Sequence, residues 1–140
     1  MKPRTLNLTV VAFALLLSAA SSFAQTQKLS VSIPFDFQVG TQHMPAGQYA
    51  VATARDGYLL TIRSLHTSDT AQVMTNSVGS KHPDEEPSRL VFRSVGNEHY
   101  LVQVWSPGLQ DGRSIALPKD RQIQLNDGGG NQDTTISAER

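Results

Sequence analysis

Between Lys28 and Val39 every odd position is apolar: Leu29, Val31, Ile33, Phe35, Phe37 and Val39. The even positions are Lys28, Ser30, Ser32, Asp36 and Gln38, with Pro34 the one exception to their polarity. A strict period of two sends one row of side chains into a core and the other into water, which an extended strand does and a helix does not. Pro34 has no N–H to give to a ladder, so the segment reads as an edge strand or as two strands joined at a bend.

The same pattern recurs between turn residues. Met44-Pro45-Ala46-Gly47 places proline and glycine at the second and fourth positions of a type I turn. Gln48 to Ala54 then alternates, with Tyr49, Val51 and Thr53 on one face. Asp56-Gly57 is a hairpin dipeptide, and after it Tyr58, Leu60 and Ile62 are expected to share a face. Leu65 to Asp69 reads as a turn, and the polar stretch Thr70 to Val78 as a strand near an edge. Ser80 to Ser88, with two prolines and three acids, reads as a solvated loop. A second hairpin follows, Arg89 to Val95 and Glu98 to Trp105 about a Gly96-Asn97 turn. Alternation there groups Tyr100, Val102 and Val104 on one face and Leu101, Gln103 and Trp105 on the other. Around Pro118, the Ile115–Leu117 and Ile123–Leu125 segments read as a last strand pair, or as a strand and one helical turn.

Short strands, close turns and no sustained helical period predict an all-β fold, an antiparallel β-sandwich of about seven to nine strands, with a small β-barrel as the alternative. A single β domain is expected over residues 25–125. The Gly, Asn, Asp, Thr and Ser content of 126–140, including Gly128-Gly129-Gly130, predicts a disordered tail.

Residues 1–24 read as a signal peptide. Lys2 and Arg4 precede a largely apolar run from Leu6 to Leu17, shorter than the about 20 residues a membrane span needs. Ser22-Phe23-Ala24 offers small residues for cleavage before Gln25. The expected location is therefore periplasmic or extracellular, with no membrane span in the mature chain. Removing 24 residues from 140 leaves 116, with ten basic against twelve acidic residues. That balance argues against nucleic acid, whose binding rests on lysine and arginine neutralising phosphates. The chain has no cysteine, so an exported domain of this kind takes its stability from packing and sheet hydrogen bonds, and thiol chemistry is excluded.

No catalytic or metal constellation stands out. His43, His66, His82 and His99 lack the H-x-H or H-x-x-x-H spacing of a local metal site; His43 and His66 fall in turn regions, His82 in the acidic loop, and His99 opens a strand. Asp84-Glu85-Glu86 lacks the alternate spacing of a calcium loop. Asp36, between two phenylalanines, belongs by alternation to a polar face; as one of a pair of glycosidic carboxylates it needs a partner such as Glu98 or Asp56. No catalytic residue, metal ligand or cofactor is assigned. The candidate binding residues are Trp105, Tyr100, Tyr58 and Tyr49, since such rings stack on sugars and anchor protein interfaces.

Val31-Ser32-Ile33-Pro34-Phe35-Asp36-Phe37-Gln38-Val39-Gly40, followed by Met44-Pro45-Ala46-Gly47-Gln48-Tyr49, resembles a group of small exported proteins of soil bacteria of the acidobacterial type. Leu90-Val91-Phe92, Tyr100 to Trp105, Gly112-Arg113 and Leu117-Pro118-Lys119 are similar too, so the likeness spans about residues 28–121. It implies a secreted β domain and carries over no site residue or cofactor. The expected function is a non-enzymatic exported module that binds a protein or glycan partner or contributes to the cell envelope. The alternatives are a β-barrel carrier of an apolar ligand and a polysaccharide-directed hydrolase. Oligomer formation is expected, if at all, through an edge strand at 28–39 or 70–78.

Overall fold

The computed structural model describes residues 28–54, 56–79, 88–106, 111–126 and 132–138. The predicted leader, His82, the Asp84–Glu86 cluster and the Gly128–Gly130 run lie outside the described residues. Among the described residues eleven strands and one helix follow in order: β1 (Lys28–Ile33), β2 (Phe37–Val39), β3 (Gln42–Met44), β4 (Gly47–Thr53), β5 (Leu59–Ser64), β6 (Thr70–Met74), β7 (Asn76–Gly79), β8 (Arg89–Val95), β9 (Glu98–Trp105), β10 (Asp111–Ser114), α1 (Lys119–Asn126) and β11 (Gln132–Ser137).

Among the described residues the strands form two sheets and no closed barrel. The first sheet has the order β1-β4-β5-β6, and the second runs β11-β8-β9-β10-β7 with β2 and β3 attached through β9. The fold is an all-β sandwich, and the closed sheet that the barrel alternative requires does not form. Pro34 does what its missing N–H predicts: β1 ends at Ile33 and the chain crosses to the second sheet, where β2 begins at Phe37. The apolar row of 28–39 is therefore shared between the sheets, and Leu29, Val31, Ile33, Phe37 and Val39 are all buried.

These residues meet Tyr49 and Val51 of β4, Leu60 and Ile62 of β5, and Leu90 and Phe92 of β8 in one core between the sheets. Phe37 lies edge-to-face with both Tyr49, at 5.2 Å, and Phe92, at 5.5 Å. Each fully buried large apolar side chain contributes about 1.5–3 kcal/mol, so a core of this kind can stabilise a chain that has no cysteine for disulfides.

Three local expectations are corrected. At β8–β9, Phe92 pairs with Leu101 but Val91 pairs with Gln103, so Val102 is an extra residue on β9. Such a bulge reverses the alternation beyond it. Leu101 and Val104 therefore both face the main core, while Tyr100, Val102 and Trp105 form a second cluster with Val91 and Val95 on the opposite face. The bulged carbonyl of Val102 accepts a hydrogen bond from the Ile115 N–H at 2.8 Å. Second, Tyr58 does not join Leu60 and Ile62: it belongs to the turn before β5, its N–H donating to Asp56 Oδ1 at 3.0 Å, and it is 60% exposed. Third, residues 132–137 of the expected disordered tail form β11, antiparallel to β8 from Gln132↔Ser94 to Ser137↔Arg89. The backbone ladder holds this polar strand, and only Ile136 and Ala138 pack on the core. At 119–126 the chain is helical, with the Pro118 carbonyl accepting from the N–H groups of Arg121 and Gln122, both at 3.0 Å.

Candidate functional site

Backbone polarity along the first sheet fixes which groups its edge presents. In an antiparallel strand the N–H and C=O of one residue point to the same side, and neighbours point to opposite sides. The Gln48 carbonyl accepts from Leu65 N–H at 2.9 Å and the Ala54 N–H donates to Leu59 at 2.8 Å, so the even residues of β4 face β5. Tyr49 and Val51 therefore face β1, where their partners are Val31 and Leu29. The backbone groups of Lys28, Ser30 and Ser32 consequently point away from the sheet.

Among the described residues β1 pairs with β4 alone, so these groups line an open edge. A groove of about 440 Å³ runs beside it, lined by Ser30, Val31 and Ser32 of β1, Gln48 of β4, Leu65, and Ser137 of β11. Its walls are small hydroxyls and one amide, with Leu65 half exposed as an apolar contact. The His66 ring nitrogen Nε2 lies 3.2 Å from Gln48 Oε1 and holds that amide at the groove.

At the opposite edge of the same sheet β6 likewise pairs, among the described residues, with one strand alone. The outward carbonyl of Thr70 on β6 accepts a hydrogen bond from Gln42 Nε2 of β3 at 2.8 Å. Of the two edges expected from the sequence, only the 28–33 part of the first, ending before Pro34, is an edge strand and has the groove beside it, and in the second β6 and β7 are each the last strand of a sheet.

The four candidate aromatic residues are not brought together. Tyr49 is 1% exposed, and its hydroxyl donates to the Pro45 carbonyl at 2.5 Å. Burial, with Asp69 and Asp36 adding to it, pushes its pKa up. Tyr100 is buried in the second cluster, with its hydroxyl donating to Glu98 Oε2 at 2.8 Å; burial first and that bond second raise its pKa. Trp105 is also buried, with its ring 4.9 Å from the Arg89 guanidinium carbon and its Nε1–H donating to Gln103 at 3.2 Å. Only Tyr58 offers its ring to solvent.

The polar candidates have local partners. Asp36 Oδ1 accepts from the Ala46 N–H at 2.8 Å, and Oδ2 is 3.7 Å from His43 Nε2, which lies on β3 rather than in a turn. Glu98 pairs with Arg121 of α1 at 2.9 Å. His99 Nδ1 is 3.0 Å from Ser94 Oγ, and its ring packs on Phe35 at 4.4 Å. Among the described residues no three His, Asp or Glu side chains gather as metal ligands, and no helix is long and apolar enough to cross a membrane.

No protein-family model, curated protein or solved structure matches the chain. The functional reading therefore rests on the site itself. Sequence reasoning missed Gln48, Leu65 and Ser137 as groove residues. Ser137 carried no signal, because every residue of its strand but Ile136 is polar.

Proposed function

We propose that this chain is an exported, non-enzymatic β module that binds a protein partner by adding that partner's extended strand to the β1 edge. The observation that carries this reading is the open row of backbone groups at Lys28, Ser30 and Ser32, beside the groove lined by Gln48, Leu65 and Ser137. Main-chain hydrogen bonds at a sheet edge supply affinity, and alternate side-chain pockets supply selectivity. Ser30 and Ser32 leave the middle of the edge clear of bulk and charge, and Lys28 and Pro34, the kinds of residue that protect sheet edges from pairing, stand only at its two ends. The basic, apolar, small-residue pattern of residues 1–24 supports export.

A photo-crosslinking side chain at Ser32, compared with one at Thr61 on the outer face of the central strand β5, tests the reading in cells that export the protein. A discrete cross-linked product from position 32 and none from position 61 is expected. Equal products from both positions, or none from position 32, overturn the reading. N-terminal sequencing of the exported protein is expected to begin at Gln25.

A further inference from the structure

We infer that the strand received at the β1 edge is β1 of a second copy of this chain, so that two first sheets join into one eight-stranded sheet across a two-fold axis at Ser30. The inference rests on the proposed role of β1 as a strand-accepting edge, and it names the occupant.

Only outward-facing residues can exchange hydrogen bonds across the new pair, so Lys28, Ser30 and Ser32 must lie opposite one another. With Ser30 on the axis, Ser30 meets Ser30 of the second copy, and each Lys28 meets a Ser32. All three outward pairs are then hydrogen-bonded within the six residues of β1. The other row follows: Leu29 lies beside Val31 of the second copy, continuing the apolar face that already packs in the core.

Charge is compatible with this arrangement. Lys28 is the one charged residue on β1, and the register holds the two Lys28 positions about 14 Å apart, four residues along the pair. That exceeds the Debye length of about 8 Å at physiological salt. Shape is compatible as well, because hydroxymethyl groups are the only side chains on the outer face at positions 30 and 32. A pairing of six-residue strands falls at the small end of protein interfaces, so a reversible, concentration-dependent dimer is expected rather than an obligate one.

The test measures mass by native mass spectrometry and light scattering across a concentration series of the exported protein. The wild type is expected to move from the monomer mass toward twice that mass. Ser30→Pro removes only an outward N–H, which the β1–β4 ladder does not use, and is expected to stay monomeric with an unchanged circular dichroism spectrum. Ser30→Lys and Ser30→Glu, which place like charges on the axis, are each expected to be monomeric alone and to form a heterodimer when mixed. That rescue is readable even if the proline variant fails to fold. A wild type that stays monomeric at every concentration overturns the inference, and so does a dimer that Ser30→Lys leaves intact. If the wild type is monomeric while a crosslinker at Ser32 still captures a different chain, the second-copy inference fails and the strand-addition reading stands.

Discussion

The Asp36 carboxylate accepts a hydrogen bond from the Ala46 N–H at 2.8 Å, tying the crossover between the two sheets to the turn that starts β4. Ten residues separate the two groups in sequence, and Tyr49 reinforces the same corner by donating to Pro45. The acid that interrupts the Phe35-Asp36-Phe37 pattern is therefore an anchor for the turn. Asp36→Ala is expected to destabilise the protein by about 1 kcal/mol, since the bond is solvent-exposed, and Asp36→Asn, which keeps an acceptor oxygen, by less. Urea unfolding monitored by circular dichroism reads both.

Gly57 and Gly96 both have positive φ, +75° and +62°, in hairpin turns, yet their surroundings differ. A Cβ at Gly96 meets open space, whereas one at Gly57 falls against the Arg113 guanidinium of β10. Gly96→Ala is expected to cost about 1–2 kcal/mol, the strain of a left-handed residue. Gly57→Ala carries the same strain and also unseats Arg113. Its cost is expected to exceed that of Gly96→Ala by about 1 kcal/mol, and the excess to shrink in an Arg113→Ala background. A double-mutant cycle of unfolding free energies measures the coupling, and equal costs at the two glycines would remove the assigned role of Arg113.

These details also show where a sequence stops being readable. The β1–β2 alternation, the Asp56-Gly57 turn and the β8–β9 hairpin were legible because each is encoded by neighbours a few residues apart. The bulge at Val102 was not, because Leu101, Val102, Val104 and Trp105 are apolar in either phase and both faces of that sheet carry a buried cluster. The polar Gln132–Ser137 strand gave no hydrophobic period, since its backbone ladder to β8 holds it in place. At the candidate site, the break of residues 28–39 into two strands, the first of them the edge strand β1, followed from Pro34. The groove did not, because it needs Leu65 and Ser137, which are brought beside β1 only by the folded sandwich.

Trp105 is the chain's one tryptophan, and it packs directly on Gly112, where a Cβ would come within 2.7 Å of the indole. Glycine is required there by close approach, not by its dihedral angle. Gly112→Ala is expected to push the ring outward from the second cluster and away from Arg89. The measurement is intrinsic fluorescence of the folded protein, with a red shift of emission and easier acrylamide quenching as the expected result. Gly79→Ala, at a position with open space around it on the paired strand β7, serves as the control and is expected to leave the spectrum unchanged.

An ion pair ties the β11 strand to β8, Arg93 Nε to Asp133 Oδ1 at 2.9 Å with a second contact from Nη2 to Oδ2 at 3.0 Å. The hydrogen bonds from Arg93 lower the Asp133 pKa below its ordinary value. A carboxyl whose pKa is depressed in the folded state contributes stability above its unfolded pKa and loses it as pH falls through the folded value. The pair is partly exposed, so its global contribution is expected to stay under about 1 kcal/mol. Its local effect is larger in kind, because β11 buries little apolar surface and depends on the ladder to β8. Amide exchange at residues 132–137 is expected to accelerate, relative to β8 and β9, when pH is lowered through the Asp133 titration. Asp133→Asn is expected to show that faster exchange already at neutral pH and to remove the pH dependence at these amides. Unchanged protection in Asp133→Asn would assign the strand's order to its backbone bonds alone.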